Sequence, residues 1–309
     1  MGGFWRRLLA FAGDAVISAI PCGILGFAFY SFFSRSAISG TLIGFALTLL
    51  YFTVLGSSIG GGQTIGHRIT HIQVVDREGA PVSLKRSLLR YLILLGPILL
   101  SSDVLPMSRR FGIKTSIDWL LFSAEVVIVY LYLFNRNTRQ SLHDLVTDTY
   151  VVDAESVGTL ERAHVWRGHW AILGGAALVG ATLSIGFGSA VSRSGPFPEL
   201  IAIQQAVLNS GKVQSVGDSI QKNWGSEGTN SGLNVFVVWS GESSDTEKDA
   251  TEIADIALRA DPRAANRDFI TVIFREGFMI GFARFSYNRP VSHSPVTWIK
   301  QAQSYGLRL

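Results

Sequence analysis

The sequence predicts an α-helical integral membrane domain of about five transmembrane helices, followed by a small soluble α+β domain. Three observations carry that expectation. Residues 8–192 contain several apolar runs near the roughly 20 residues a helix needs to cross a bilayer. Of the 27 Lys and Arg and the 23 Asp and Glu, residues 1–189 hold 15 and 11, so the whole net charge of +4 lies in this apolar part. The tail is formally neutral and replaces the long runs with short alternating and helical patterns. These features divide the chain into a membrane domain over 1–155, a linker and final span over 156–192, and a soluble domain over 193–309.

The predicted spans are unequal. Residues 8–33 are long enough but carry Asp14 and Pro21, whereas 37–59 have no charge. Residues 88–105 form the weakest span, bracketed by Arg90 and Asp103 around Gly96-Pro97, and a re-entrant segment is the alternative. Residues 117–134 are apolar apart from Asp118 and Glu125, and residues 170–192 are uncharged. With the N-terminus inside, the inner segments carry Arg6, Arg7, Arg68, Arg77, Lys85, Arg86, Arg90, Arg136, Arg139, Arg162 and Arg167. The outer loops carry only Arg35, Arg109, Arg110 and Lys114. This asymmetry predicts a cell-membrane, multi-pass protein with a cytoplasmic N-terminus. Five spans then place the tail outside. Basic loops against an anionic bilayer explain the charge, and nucleic acid is not an expected partner. Asp14 also interrupts the apolar run a signal peptide would need, so the N-terminus is expected to be retained.

In the tail, residues 201–222 read as an amphipathic helix and 233–239 as a strand. Residues 243–260 read as a helix opened by Ser and acidic residues. Two further strands, 269–274 and 278–287, flank Arg275-Glu276-Gly277, a hairpin signal. Ser292 and His293 read as loop. In the last span, Ala176, Gly180 and Ala177, Ala181 repeat at the spacing of close helix contact, within the monomer or in a homo-oligomer.

Few motifs carry chemistry. The single Cys22 allows neither a disulfide nor a zinc cluster within one chain. Gly60-Gly61-Gly62-Gln63-Thr64-Ile65-Gly66-His67 fails the dinucleotide pattern at Ile65 and the phosphate-loop pattern at His67, and reads as a helix exit. Asp144, Asp148 and Asp153 do not match a calcium loop. No nucleophile, base and orienter can be assembled, so neither an enzyme, a cofactor nor a metal is expected. The notable residues are acids inside spans, which are costly in hydrocarbon. Asp14 lies two helical turns after Arg7, about 10 Å along the axis, so direct pairing requires Arg7 to lean inward or a third group to bridge. It reads either as a proton or cation ligand or as a structural charge. Glu125 is the second candidate. Lys85, Arg86 and Arg90 suit an inner-leaflet anchor, and residues 68–79 suit a short strand or an interfacial segment.

Three elements in order resemble the RDD family of membrane proteins, named for one Arg and two Asp. The first is Phe4-Trp5-Arg6-Arg7-Leu8-Leu9-Ala10-Phe11-Ala12-Gly13-Asp14. The second runs from Gly62, Gln63, Thr64, Gly66 and Arg68 through Ile72–Asp76 and Gly79 to Arg90. The third is Arg139–Val152, containing His143 and Asp144. The likeness spans residues 4–152 and implies Arg7, Asp14 and Asp144 as the named residues, with Arg6 competing for the first role. His67 stands where Lys or Arg is common, and Asp148 where a small residue is usual. The resemblance implies an inner-face Asp144. Some relatives are linked with transport, including cation/proton antiport.

Two functions follow as expectations. One is transport of a small cation or proton through Asp14 and Glu125, with Arg7 as a tuning counter-charge and Asp144 closing a cytoplasmic network. The other is a non-transporting scaffold or assembly factor that recruits a protein partner through the tail.

Overall fold

The computed structural model describes residues 2–100, 111–136, 138–155, 160, 165–191, 195, 197–225, 228–239 and 245–307. The chain divides into two compact units. One ends at Gly180 and also includes Phe278–Phe285; the other comprises Ala181–Gly277 and Ser286–Leu309.

The first unit is helical. Its helices are α1 (Phe4–Ala28), α2 (Tyr30–Ser34), α3 (Ala37–Leu55), α4 (Ile65–Ile69), α5 (Leu84–Leu100), α6 (Phe111–Phe134), α7 (Leu142–Thr147) and the start of α8 (Arg167–Val191). Strand β1 (Ile72–Val75) pairs antiparallel with β2 (Tyr150–Asp153), so residues 68–79 contain a strand. Among the described residues, Phe4–Ala28 and Ile38–Leu55 are long and apolar enough to cross a membrane, and Trp119–Phe134 is a shorter apolar helix. The end of the predicted third span, with Asp103, lies outside the described residues, as do Arg109 and Arg110.

The side chains of α1 are arranged inside out. Val16, Ile20, Ile24 and Phe27 are exposed, while Arg7, Asp14, Ser18 and Cys22 are buried. In water this pattern would lose the hydrophobic driving force and strand the buried charges. In hydrocarbon it is the favoured one, because apolar surface faces lipid and polar groups face one another.

Packing within this unit depends on small residues. Gly66 brings α4 against α1, since a Cβ there would lie 2.1 Å from the Ala10 carbonyl oxygen. Gly180 faces Trp119 of α6 within the monomer, where a Cβ would lie 2.5 Å from the ring. Phe278–Phe285 is seated on α1 and α3: a Cβ at Gly26 would lie 2.3 Å from Phe278, and one at Gly44 would lie 1.8 Å from the Gly281 nitrogen.

The second unit contains α9 (Phe197–Asn209), β3 (Val213–Gly225), β4 (Gly228–Trp239), α10 (Thr246–Ala260), the part of β5 (Phe269–Ile280) up to Gly277, the part of β6 (Ala283–His293) from Ser286, and α11 (Pro295–Ser304). Its sheet runs in the order β3-β4-β5-β6, with β3 and β4 antiparallel and β4 and β5 parallel. Ile203, Val207, Ile253, Ala257 and Trp298 pack with Leu233, Val235, Ile270 and Val272 to form its core. Asp245 caps α10 by accepting from the Glu247 and Lys248 amides. Burial beside Glu199 pushes the Asp218 carboxyl up to about 7, although Gln204 donates to it at 2.7 Å.

Three expectations for the tail are corrected. The helix expected over 201–222 ends at Asn209, and residues from Val213 onward form β3. A register shift between Val213 and Ser215 turns Val213 and Val216 toward the core three residues apart, which imitates helical spacing. The hairpin turn lies beyond Ile280, at Gly281 with φ of 57°, because the strand continues through Arg275-Glu276-Gly277. Ser292 and His293 end a strand, with Ser292 bonded to Thr271 at 2.8 Å and His293 to Glu247 at 2.6 Å.

The seat for Phe278–Phe285 is testable. An ideal Cβ at Gly23 lies 3.9 Å from that of Ala283, within disulfide range. In a Cys22→Ser background, the pair Gly23→Cys and Ala283→Cys should therefore cross-link on mild oxidation, read as a mobility shift that reductant reverses.

Candidate functional site

The sequence elements around Arg7, Arg90 and Asp144 converge at one end of α1, α5 and α7. Asp144 is fully buried, and its two oxygens divide the work. One receives Arg90 Nη1; the other faces Arg7 Nη1 at 3.5 Å and accepts the Ser141 amide at 3.2 Å. Arg7 also donates to the Arg139 carbonyl at 2.6 Å and to the Val151 carbonyl at 3.1 Å. Arg90 donates to Thr149 Oγ1 at 2.9 Å. The cluster therefore ties α1 and α5 to the segment that begins at Arg139 and ends in β2. Arg90 is buried here instead of anchoring at the leaflet, because its head is bound to Asp144. Arg86 reaches the Thr147 and Asp148 carbonyls at 2.8–2.9 Å, and Lys85 is exposed.

Arg7 and Asp14 do not pair. Asp14 faces α3 and α4 and accepts from Tyr51 Oη at 2.7 Å, Thr64 Oγ1 at 2.5 Å and the Gly66 amide at 2.7 Å. All three donors are neutral. Thr64 also caps α4 by accepting the His67 amide at 3.2 Å. Arg6 makes an exposed pair with Asp153 at 2.8 Å, which leaves the buried role to Arg7.

The other motif residues are structural. Gly62, at φ of 72°, closes a tight turn whose carbonyl accepts the Val74 amide at 2.8 Å. Gln63 donates to the Ile72 carbonyl at 2.9 Å, and Arg68 donates to the Gly60 carbonyl at 3.2 Å on the exposed side. Glu125 does not join Asp14. It is half-buried beside a separate cavity of about 530 Å³ that Ile98, Leu99, Ile128 and Phe282 also line. Tyr51, the partner of Asp14, carries no sequence signal, being one aromatic in an otherwise apolar span.

Behind these networks lies a cavity of about 280 Å³. Arg7, Asp14, His67, Arg90, Tyr91 and His143 line it, together with apolar residues of α1, α3, α5 and α6. Burial, reinforced by Arg90 and Arg7, pushes His67 down to about 3. Burial pushes His143 down to about 4, outweighing the attraction of Asp144. Burial opposes ionisation of Asp144, yet Arg90 and its neighbours together hold it down to about 2. At neutral pH the site is thus two guanidiniums and one carboxylate, flanked by two neutral imidazoles. Among the described residues, no group of three His, Cys, Asp or Glu is placed to hold a metal ion.

A helical domain with apolar residues outward and a buried Arg–Asp–Arg cluster is the class this geometry defines. Residues 1–148 match the RDD family, so the N-terminal part of the chain is an RDD domain. It is also similar to the uncharacterized protein YckC of Bacillus subtilis, at 25% identity over 152 residues that cover 49% of this chain and 84% of YckC. No solved structure matches the chain.

Two outcomes follow. Gly66→Ala should lower protein abundance severalfold in membranes, because its Cβ would meet Ala10 and the Asp14 carboxyl; quantitative immunoblotting checks this. The buried imidazoles resist protonation, whereas the unfolded chain binds protons below pH of about 6.5. Stability should therefore fall as pH drops from about 6.5 toward 4, with the Asp144 contribution lost only near the acid extreme. The difference in melting temperature between the wild type and His67→Gln/His143→Gln should change with pH across that window and stay constant above pH of about 7.5.

Proposed function

We propose that this chain is a five-span membrane scaffold whose buried polar residues hold its helices together, without enzymatic activity, and whose C-terminal unit recruits a protein partner. The observation that carries this reading is the engagement of Asp14: its two oxygens already accept from three neutral donors, taking three of the about four acceptor sites a cation would draw on.

The course of the helices supports five spans. Arg7 and Arg90 place the starts of α1 and α5 at the cluster. Ser87 donates to the Thr53 carbonyl at 2.8 Å, placing the end of α3 there, and Ser141 does the same for α6 through the Ile128 carbonyl at 2.7 Å. Tyr130 meets His169 at 3.1 Å, so α8 starts beside the end of α6. Exposed Trp5, Trp166 and Trp170 suit an interfacial aromatic belt on that side. The reading therefore has α1, α5 and α8 leave the cytoplasmic face and α3 and α6 return, with an extracytoplasmic C-terminal unit.

Transport of a small cation or proton is the second reading, and the half-buried Glu125 beside its own cavity is what favours it. Proteoliposomes discriminate between the two. The scaffold reading expects no sodium- or potassium-driven proton flux above protein-free liposomes, and reduced abundance in Arg7→Ala and Asp14→Ala. A flux abolished by Glu125→Gln would establish transport instead. Protease added to the extracytoplasmic face should digest the C-terminal unit; full protection would refute five spans.

A further inference from the structure

The cavity behind the Arg–Asp–Arg cluster has two chemically different ends. Leu8, Val129 and Leu133 line it and are also 41%, 56% and 46% exposed, so its mouth lies on the seam of α1 and α6. In a membrane-embedded domain that seam faces hydrocarbon. Its volume of about 280 Å³ lies at the lower end of small-molecule sites.

The inner end carries hydrogen-bonding capacity the protein leaves unused. Arg7 Nε, Arg90 Nε, Tyr91 Oη, His67 Nδ1 and His143 Nδ1 are buried without a hydrogen-bond partner. All five belong to residues that line this one cavity. Guanidinium nitrogens only donate, so at least two of the unused groups require an acceptor. Charge points the same way: Arg7 and Arg90 share the single carboxylate of Asp144, leaving one positive charge uncompensated in the cluster. Asp14 spends both oxygens on Tyr51, Thr64 and Gly66. A cation would meet two guanidiniums; an acceptor-only anion would complete the set.

We propose that the cavity binds a free fatty acid from the bilayer, with its carboxylate against Arg7 and Arg90 and its chain along Leu94, Ile98 and Val129. The proposal rests on the reading of this unit as membrane-embedded. Buried guanidiniums supply the recognition, and the lipid-facing mouth supplies the route of entry.

The test uses the full chain in lipid nanodiscs with a photoreactive diazirine palmitic acid, and adducts mapped by mass spectrometry. Adducts are expected at Leu94 and Ile98, with palmitic acid competing at least about tenfold better than methyl palmitate, as a charged hydrogen-bonded head requires. Val129→Trp, a bulky change at an exposed position, should reduce those adducts severalfold with an unchanged melting temperature. Equal competition by the ester, or cavity adducts undiminished in Val129→Trp, would overturn the proposal. The exposed Ile20 and Ile24 serve as a separate control. Labelling there without labelling in the cavity defeats the site alone, whereas no labelling at either place defeats the membrane-embedded reading as well.

Discussion

The membrane unit depends on one carboxylate placed between two guanidiniums away from water. Asp144 reaches Arg7, 137 positions earlier, and Arg90, 54 positions earlier, so a single buried group joins three distant parts of the sequence. Such a cluster is costly to desolvate and stable only when nearly every charge has a partner. That requirement dictates its surroundings. The Arg139 and Val151 carbonyls accept from Arg7, Thr149 accepts from Arg90, and the Ser141 amide supports Asp144. The short β1–β2 sheet brings Val151 into reach, and the Gly2 amide binds the same Val151 carbonyl at 2.8 Å, fixing the start of the chain.

Much of this is legible in the sequence, for a definite reason. Charges in apolar runs are so unfavourable that Asp14 stands out on hydropathy alone, whereas Arg7 and Asp144 stand out through their places in the first and closing RDD elements. Which groups meet is not legible. Spacing on α1 puts Arg7 and Asp14 two turns apart, yet their side chains serve different networks. Tyr51 and Thr149 have no local pattern that marks them, because their partners come from other helices. In the tail, the bulge near Ser215 changes a strand's period into one resembling a helix, and strand pairing overrides the Arg275–Gly277 turn signal. Local pattern fails where a long-range contact fixes the conformation.

The two acids of the family signature also differ in kind. Asp14 is satisfied by neutral donors and joins α1 to α3 and α4. Asp144 is satisfied by cations, and the excess positive charge around it leaves donors unspent beside an apolar cavity. A structural clamp and a recognition surface for an acidic amphiphile thus arise from the same arrangement: the clamp immobilises the guanidiniums, and their immobility prepares them for a ligand.

The central claim is that the Arg7–Asp144–Arg90 cluster is structural, and its most direct test is to exchange the whole cluster for apolar residues. Asp144→Leu alone leaves two buried cations and should destabilise the unit by on the order of 3–5 kcal/mol. The triple change Arg7→Met/Asp144→Leu/Arg90→Met removes every charge together and should recover most of the melting temperature and abundance lost in the single variant. A triple variant no more stable than Asp144→Leu, or a single variant that melts like the wild type, would contradict the account.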